Sequence, residues 1–101
     1  MTTRAVLISA DAEEQLAAIR RWWLTNRTSA PDLLDREMDA AVQVLRHSAS
    51  AFPIYRRESD AQIRRLLLPR SRYAVYFSVE AEVVLVVAVW HTARGSGPPI
   101  G

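Results

Sequence analysis

Residues 63–99 read IRRLLLPRSRYAVYFSVEAEVVLVVAVWHTARGSGPP, and the fold follows from how this stretch divides. Residues 63–68 make a first strand, and Pro69, Arg70 and Ser71 turn the chain. Residues 73–79 alternate. Tyr73, Val75, Phe77 and Val79 point one way, and Ala74, Tyr76 and Ser78 the other. Glu80, Ala81 and Glu82 form a second turn, and residues 83–90 are apolar throughout. Three strands joined by short turns form an antiparallel meander. A strand that is apolar on both faces belongs at the centre of a sheet covered on both sides.

Upstream of the meander the periodicity changes. Residues 3–9 read as a short strand, with Val6, Leu7 and Ile8 supplying apolar bulk. A helix follows, with Asp11 and Glu14 spaced as a capping box. Ala12, Leu16, Ile19 and Trp23 make its apolar stripe. Pro31 marks the start of a second helix, capped by Ser29 or Ala30. Its stripe is Leu34, Met38, Ala41, Val42 and Leu45, and it ends between residues 47 and 50. Residues 50–60 read as irregular because Pro53 interrupts them, and residues 95–101 read as a flexible tail.

The expected fold is therefore α+β. It is one domain over residues 1–101, in the order β-α-α-β-β-β, with a two-helix hairpin on one face of an antiparallel sheet. Two helices cover only one face. The other, which includes some of Val84, Val86, Trp90 and Tyr76, needs another cover, either the curl of the sheet with the C-terminal tail or a second polypeptide.

Composition narrows the chemistry. Of 101 residues, 50% are hydrophobic and 24% charged, as in an ordinary globular chain. There is no cysteine, which excludes disulfides and thiolate metal sites. The longest apolar run is far too short to span a bilayer. No nucleotide-binding loop, dinucleotide fingerprint, zinc spacing or nucleophile elbow occurs. No cofactor, metal or membrane partner is expected.

All 13 basic residues are Arg. GC-rich coding would account for this, and so would recognition of carboxylates or phosphates by guanidinium forks. Six of them (Arg56, Arg57, Arg64, Arg65, Arg70 and Arg72) fall in one short segment, whereas the acids gather mostly between Asp11 and Asp39. Trp22 and Trp23 cannot share a helical face. Trp23 continues the core stripe, which leaves Trp22 for a partner. Arg64 and Arg65 must point to opposite faces of their strand. The candidate partner-binding residues are Trp22, Arg64, Arg72, Tyr76, Trp90 and Arg94.

The basic strand, the PRSRY turn, the Tyr-rich strand, the apolar strand and the closing Trp-His followed by Arg and Gly-Pro together resemble the C-terminal half of RelE/ParE superfamily toxins, the plasmid stabilisation proteins. The first strand and the DAEEQL helix start follow the same layout, and the likeness spans roughly residues 4–99. The resemblance implies a cytoplasmic toxin of a bacterial type II toxin–antitoxin system. It also implies a cognate antitoxin, usually encoded beside it, that wraps the toxin in a hetero-oligomer.

The superfamily has two branches. ParE-like members bind DNA gyrase and are not known as catalysts. RelE-like members enter the ribosomal A site and cleave mRNA. For cleavage, this chain offers Tyr73 and His91 for proton transfer, with Arg65, Arg72 and Arg94 for phosphorane charge. It departs from the RelE pattern at three places. Ala74 stands where an Arg is usual, Thr92 replaces a basic residue, and the C-terminal Tyr position falls near Pro98. The sequence thus lies closer to ParE. An endoribonuclease is the alternative, and a degenerate module that binds only its antitoxin is a second one.

Overall fold

A computed structural model describes residues 3–58, 61–95 and 97–100. The elements are β1 (Ala5–Ile8), α1 (Ala10–Asn26), α2 (Leu33–Ser48), a 3-10 turn (Ala49–Ala51), β2 (Ile54–Glu58), β3 (Ala61–Leu67), β4 (Tyr73–Val79) and β5 (Val83–His91). The sheet has five strands in the order β1-β5-β4-β3-β2. The meander is antiparallel as expected, but β1 lies parallel to β5, so the sheet is mixed. The extra strand is β2, in the segment read as irregular. Pro53 does not prevent it, because the strand begins after that residue and sits at the sheet edge, where only one side must pair. The α+β class and the helical hairpin on one face stand.

Helix starts differ from expectation. Ser9, not Asp11, caps α1, its Oγ accepting from the Ala12 N–H at 3.1 Å. Asp32 occupies the N-cap position of α2 without a side-chain cap bond, and the Leu33 N–H donates to the Ala30 carbonyl instead. The connector is pinned by Trp23, whose Nε1–H donates to that same carbonyl at 2.8 Å. Arg20 and Asp35 tie the helices together at 2.8 Å, although both are well exposed and contribute little.

The main core lies between the helices and the sheet. Leu16, Trp23, Leu34, Met38 and Leu45 meet Val75, Phe77, Val84, Val86 and Val89. A bulge explains how β5 serves both faces. Tyr76 pairs with Ala88 and Phe77 with Val86, leaving Val87 as the extra residue. Before the bulge Val84 and Val86 face the helices. After it, Val89 does, while Ala88 and Trp90 face away. Val84 and Val86 are thus helix-side residues and do not belong to the second face.

That second face is largely covered by the chain itself. Ile63, Ala74, Tyr76 and Ala88 are buried there, packed by Val87, Trp90 and Ile100. A second bulge between Ile54 and Arg56 turns Tyr55 onto Tyr76, ring centroids 4.8 Å apart. Residues 97–100 carry no regular structure and lie across this face. Pro98 is buried, and the Ile100 carbonyl accepts from Arg56 Nη2 at 3.0 Å. A Cβ at Gly97 would overlap the Tyr55 hydroxyl, so a larger residue here would push that side chain aside. Ser96 and Gly101, the rest of the expected tail beyond Gly95, lie outside the described residues. Of the two covers expected, the chain itself supplies most, which corrects the reading that a second polypeptide is needed, and exposed apolar surface remains at its margins, on Leu7 and Leu67.

Glu37 of α2 anchors the β3–β4 turn. Its two carboxylate oxygens accept from the Arg70 and Ser71 N–H groups at 2.9 and 2.8 Å. Partial burial pushes its carboxyl up, but these bonds and the Arg70 charge outweigh that and hold it below the ordinary value of 4.5. A lowered folded value means that the carboxylate stabilises the fold above pH 4.5, and that this contribution is lost as pH falls through the lowered value. Glu37→Gln should cost about 1 kcal/mol at neutral pH, a Tm drop of about 4–8 °C, allowing for solvent screening. The gap between the two proteins should narrow in acid below pH 4.5. A thermal-melt series across pH checks this, and a gap that widens in acid would contradict it.

Candidate functional site

Unequal strand lengths create the main surface feature. β1 has four residues and pairs with Val83 through Val86 only. The rest of β5, residues 87–91, has no strand neighbour on that side. The side chain of Gln15 on α1 partly fills the gap, its Oε1 accepting from the Val89 N–H at 2.8 Å. An open cleft of about 690 Å³ lies along this edge.

Ala18, Ile19 and Trp22 of α1 form one wall of the cleft. Tyr73, Trp90, His91 and Arg94 bound the other side, and Arg27 closes the end beyond α1. Trp22 is 46% exposed, whereas its neighbour Trp23 is 5% exposed. Helical geometry thus separates two identical residues into a surface one and a core one. The Arg27 guanidinium sits 5.7 Å from the Trp22 ring centroid. That of Arg94 stacks over Trp90 at 4.3 Å. Tyr73 and His91, directly opposite in the β4–β5 register, meet edge to face at 4.8 Å.

The electrostatics are one-sided. Two Arg and one His line the cleft, and among the described residues none that lines it is acidic. Burial pushes the Tyr73 hydroxyl above its ordinary 10.0, against the opposing charges of Arg94 and Arg27. The phenol therefore stays protonated at neutral pH and acts as a hydrogen-bond donor rather than a base.

The sequence-predicted residues divide by location. Trp22, Tyr73, Trp90, His91 and Arg94 come together in this cleft. Arg65 and Arg72 line a separate shallow cleft with Leu67 and Thr92. Arg64 points to the helix side and donates Nη1–H to the Phe52 carbonyl at 2.6 Å. Tyr76, 3% exposed, lies within the second packed cluster and offers almost no surface to a partner. The five residues gathered for RNA cleavage are thus split between two clefts. Gln15 and Arg27 are cleft residues that sequence reasoning missed. Neither had a signal in the sequence, since Arg27 follows Trp22 by five residues and caps α1 outside helical geometry.

A family model described as "ParE toxin of type II toxin-antitoxin system, parDE" matches residues 6–95. The chain belongs to the ParE toxin family. Its fold is also that of a solved chain from the "Chromosomal ParDE TA system from P. aeruginosa". The two share 16% identity and a TM-score of 0.70, over 88% of this chain and 96% of that one. No curated protein sequence matches it. Among the described residues no helix is long and apolar enough to cross a membrane, and no cluster of His, Asp or Glu could hold a metal ion. In this ParE-family toxin, the cleft offers aromatic faces, guanidinium groups and a strand edge without a neighbouring strand to one ligand. Those are the means of gripping an extended acidic polypeptide.

Proposed function

We propose that this ParE-family toxin acts in the bacterial cytoplasm by inhibiting DNA gyrase through protein–protein contact. A cognate antitoxin neutralises it by laying a segment in the cleft between α1 and the end of β5. Membership of the ParE family over residues 6–95 carries the reading. The form of the cleft supports it. An exposed Trp and two guanidiniums beside a strand edge that no other strand covers are suited to a peptide with apolar and acidic side chains. The departures from the RelE pattern at Ala74, Thr92 and Pro98 favour a binding role over RNA cleavage. The protonated state of Tyr73 also argues against its use as a base.

Purified gyrase tests the target. Supercoiling of relaxed plasmid should be blocked by the toxin and restored when the cognate antitoxin is added. Unaffected supercoiling at a large toxin excess, with mRNA cut in a translating extract, would move the protein to the endoribonuclease reading.

A further inference from the structure

Among the described residues, Arg72 alone has a positive φ without being glycine, at 70°. The turn between β3 and β4 dictates this angle. The Leu68 N–H donates to the Tyr73 carbonyl at 2.8 Å, and the Arg72 N–H donates to the Leu68 carbonyl at 3.1 Å. The Arg72 carbonyl accepts from both the N–H and the hydroxyl of Thr92, at 3.0 and 2.9 Å. With the backbone held at both ends, residue 72 must be left-handed. Glycine adopts that conformation freely, and an L-residue with a long side chain does so only at a cost. The exposed side chain gives the fold nothing visible in return. An arginine kept in a conformation that suits glycine points to a contact outside the chain.

The surroundings define what that contact is. Arg65 and Arg72 line a shallow cleft with Leu67, Leu68, Pro69 and Thr92, and none of these is acidic. Leu67 is 54% exposed. The cleft therefore combines the guanidiniums of Arg72 and Arg65, the latter 5.7 Å from the Tyr55 ring centroid, with the exposed side chain of Leu67. Carboxylates match the guanidiniums, and an apolar side chain matches Leu67. A nucleic acid fits less well, because no aromatic ring lines this cleft for a base to stack on.

We infer that the β3–β4 turn carries a second docking site, separate from the α1–β5 cleft, that takes an acidic segment of a protein partner with Arg72 as its specific contact. The site goes beyond the proposed gyrase and antitoxin reading and stands or falls separately from it.

Poly-L-glutamate serves as the probe, with a single-stranded oligonucleotide of equal charge alongside it. Arg46→Ala provides the control, since it removes one charge at the opposite end of the sheet, near the start of β1. Arg72→Gly should raise the Tm by several degrees by releasing the strain, and should weaken poly-glutamate binding about tenfold. Arg46→Ala should weaken it no more than about twofold. A lowered Tm in Arg72→Gly would make the arginine a structural residue and overturn the inference. So would a loss of binding equal to that of Arg46→Ala, an absence of poly-glutamate binding by the parent protein, or tighter binding of the oligonucleotide. Supercoiling inhibition is read from a different assay, so its failure would leave this result unaffected.

Discussion

Trp22→Ala should weaken binding of the cognate antitoxin by about 30-fold or more while leaving the Tm within about 2 °C. The residue sits half-exposed on the wall of the α1–β5 cleft, its ring centroid 6.4 Å from that of buried Trp23. Large aromatic anchors at the centre of a docking surface commonly contribute about 2 kcal/mol or more. The adjacent residue makes the comparison informative. Trp23→Ala should cost about 3–5 kcal/mol of stability, because that ring is buried and its Nε1–H holds the α1–α2 connector at Ala30. Titration calorimetry with the antitoxin and thermal melts of both variants separate the two effects. A Trp22→Ala protein that binds the antitoxin as the parent does would remove the cleft from the account.

Phe77→Ala should remove a large share of the stability of the fold. Phe77 has no solvent exposure, packs edge to face on Phe52 at 6.1 Å, and lies at the β4–β5 bulge where the core changes register. Truncating a buried Phe costs about 3–5 kcal/mol, a large part of the roughly 5–15 kcal/mol available to a domain of this size. The expected loss in Tm is about 15–30 °C. Circular dichroism melts check it. A loss below about 5 °C would mean that the helix layer does not depend on this ring.

Much of this fold can be read from alternation and spacing. The strand over Tyr73–Val79 shows its two faces residue by residue, and the helical stripes name most of the buried residues, although Ile19 and Val42 are only partly buried and Leu33 was not included. β2 stayed hidden because an edge strand pairs on one side only and needs no strong apolar pattern, and Pro53 masks its start. The bulge at Val87 was also hidden. An apolar run looks the same with or without an extra residue, so Val84 and Val86 could not be assigned to a face. The parallel pairing of β1 with β5 depends on where the helical hairpin returns the chain, which local pattern does not encode.

The candidate site was half legible. Trp22 could be singled out because two adjacent Trp cannot share one helical face. Tyr73, Trp90, His91 and Arg94 bracket the ends of neighbouring strands, which places them together once the hairpin register is known. Arg64 and Arg65 separated to opposite faces as the pleat requires. Gln15 could not be found, because its role follows from β1 being shorter than β5, and that mismatch exists only in the assembled sheet. The left-handed angle at Arg72 likewise comes from bonds to Leu68 and Thr92 that no local sequence rule specifies.

The location of the docking surface is best tested by amide hydrogen exchange of the toxin, alone and with the proposed antitoxin. Exchange should slow most over residues 87–91, the β5 segment without a strand neighbour, and over residues 15–22 on the facing side of α1. Protection confined to β2 and β3, with residues 87–91 exchanging as in the free protein, would contradict it.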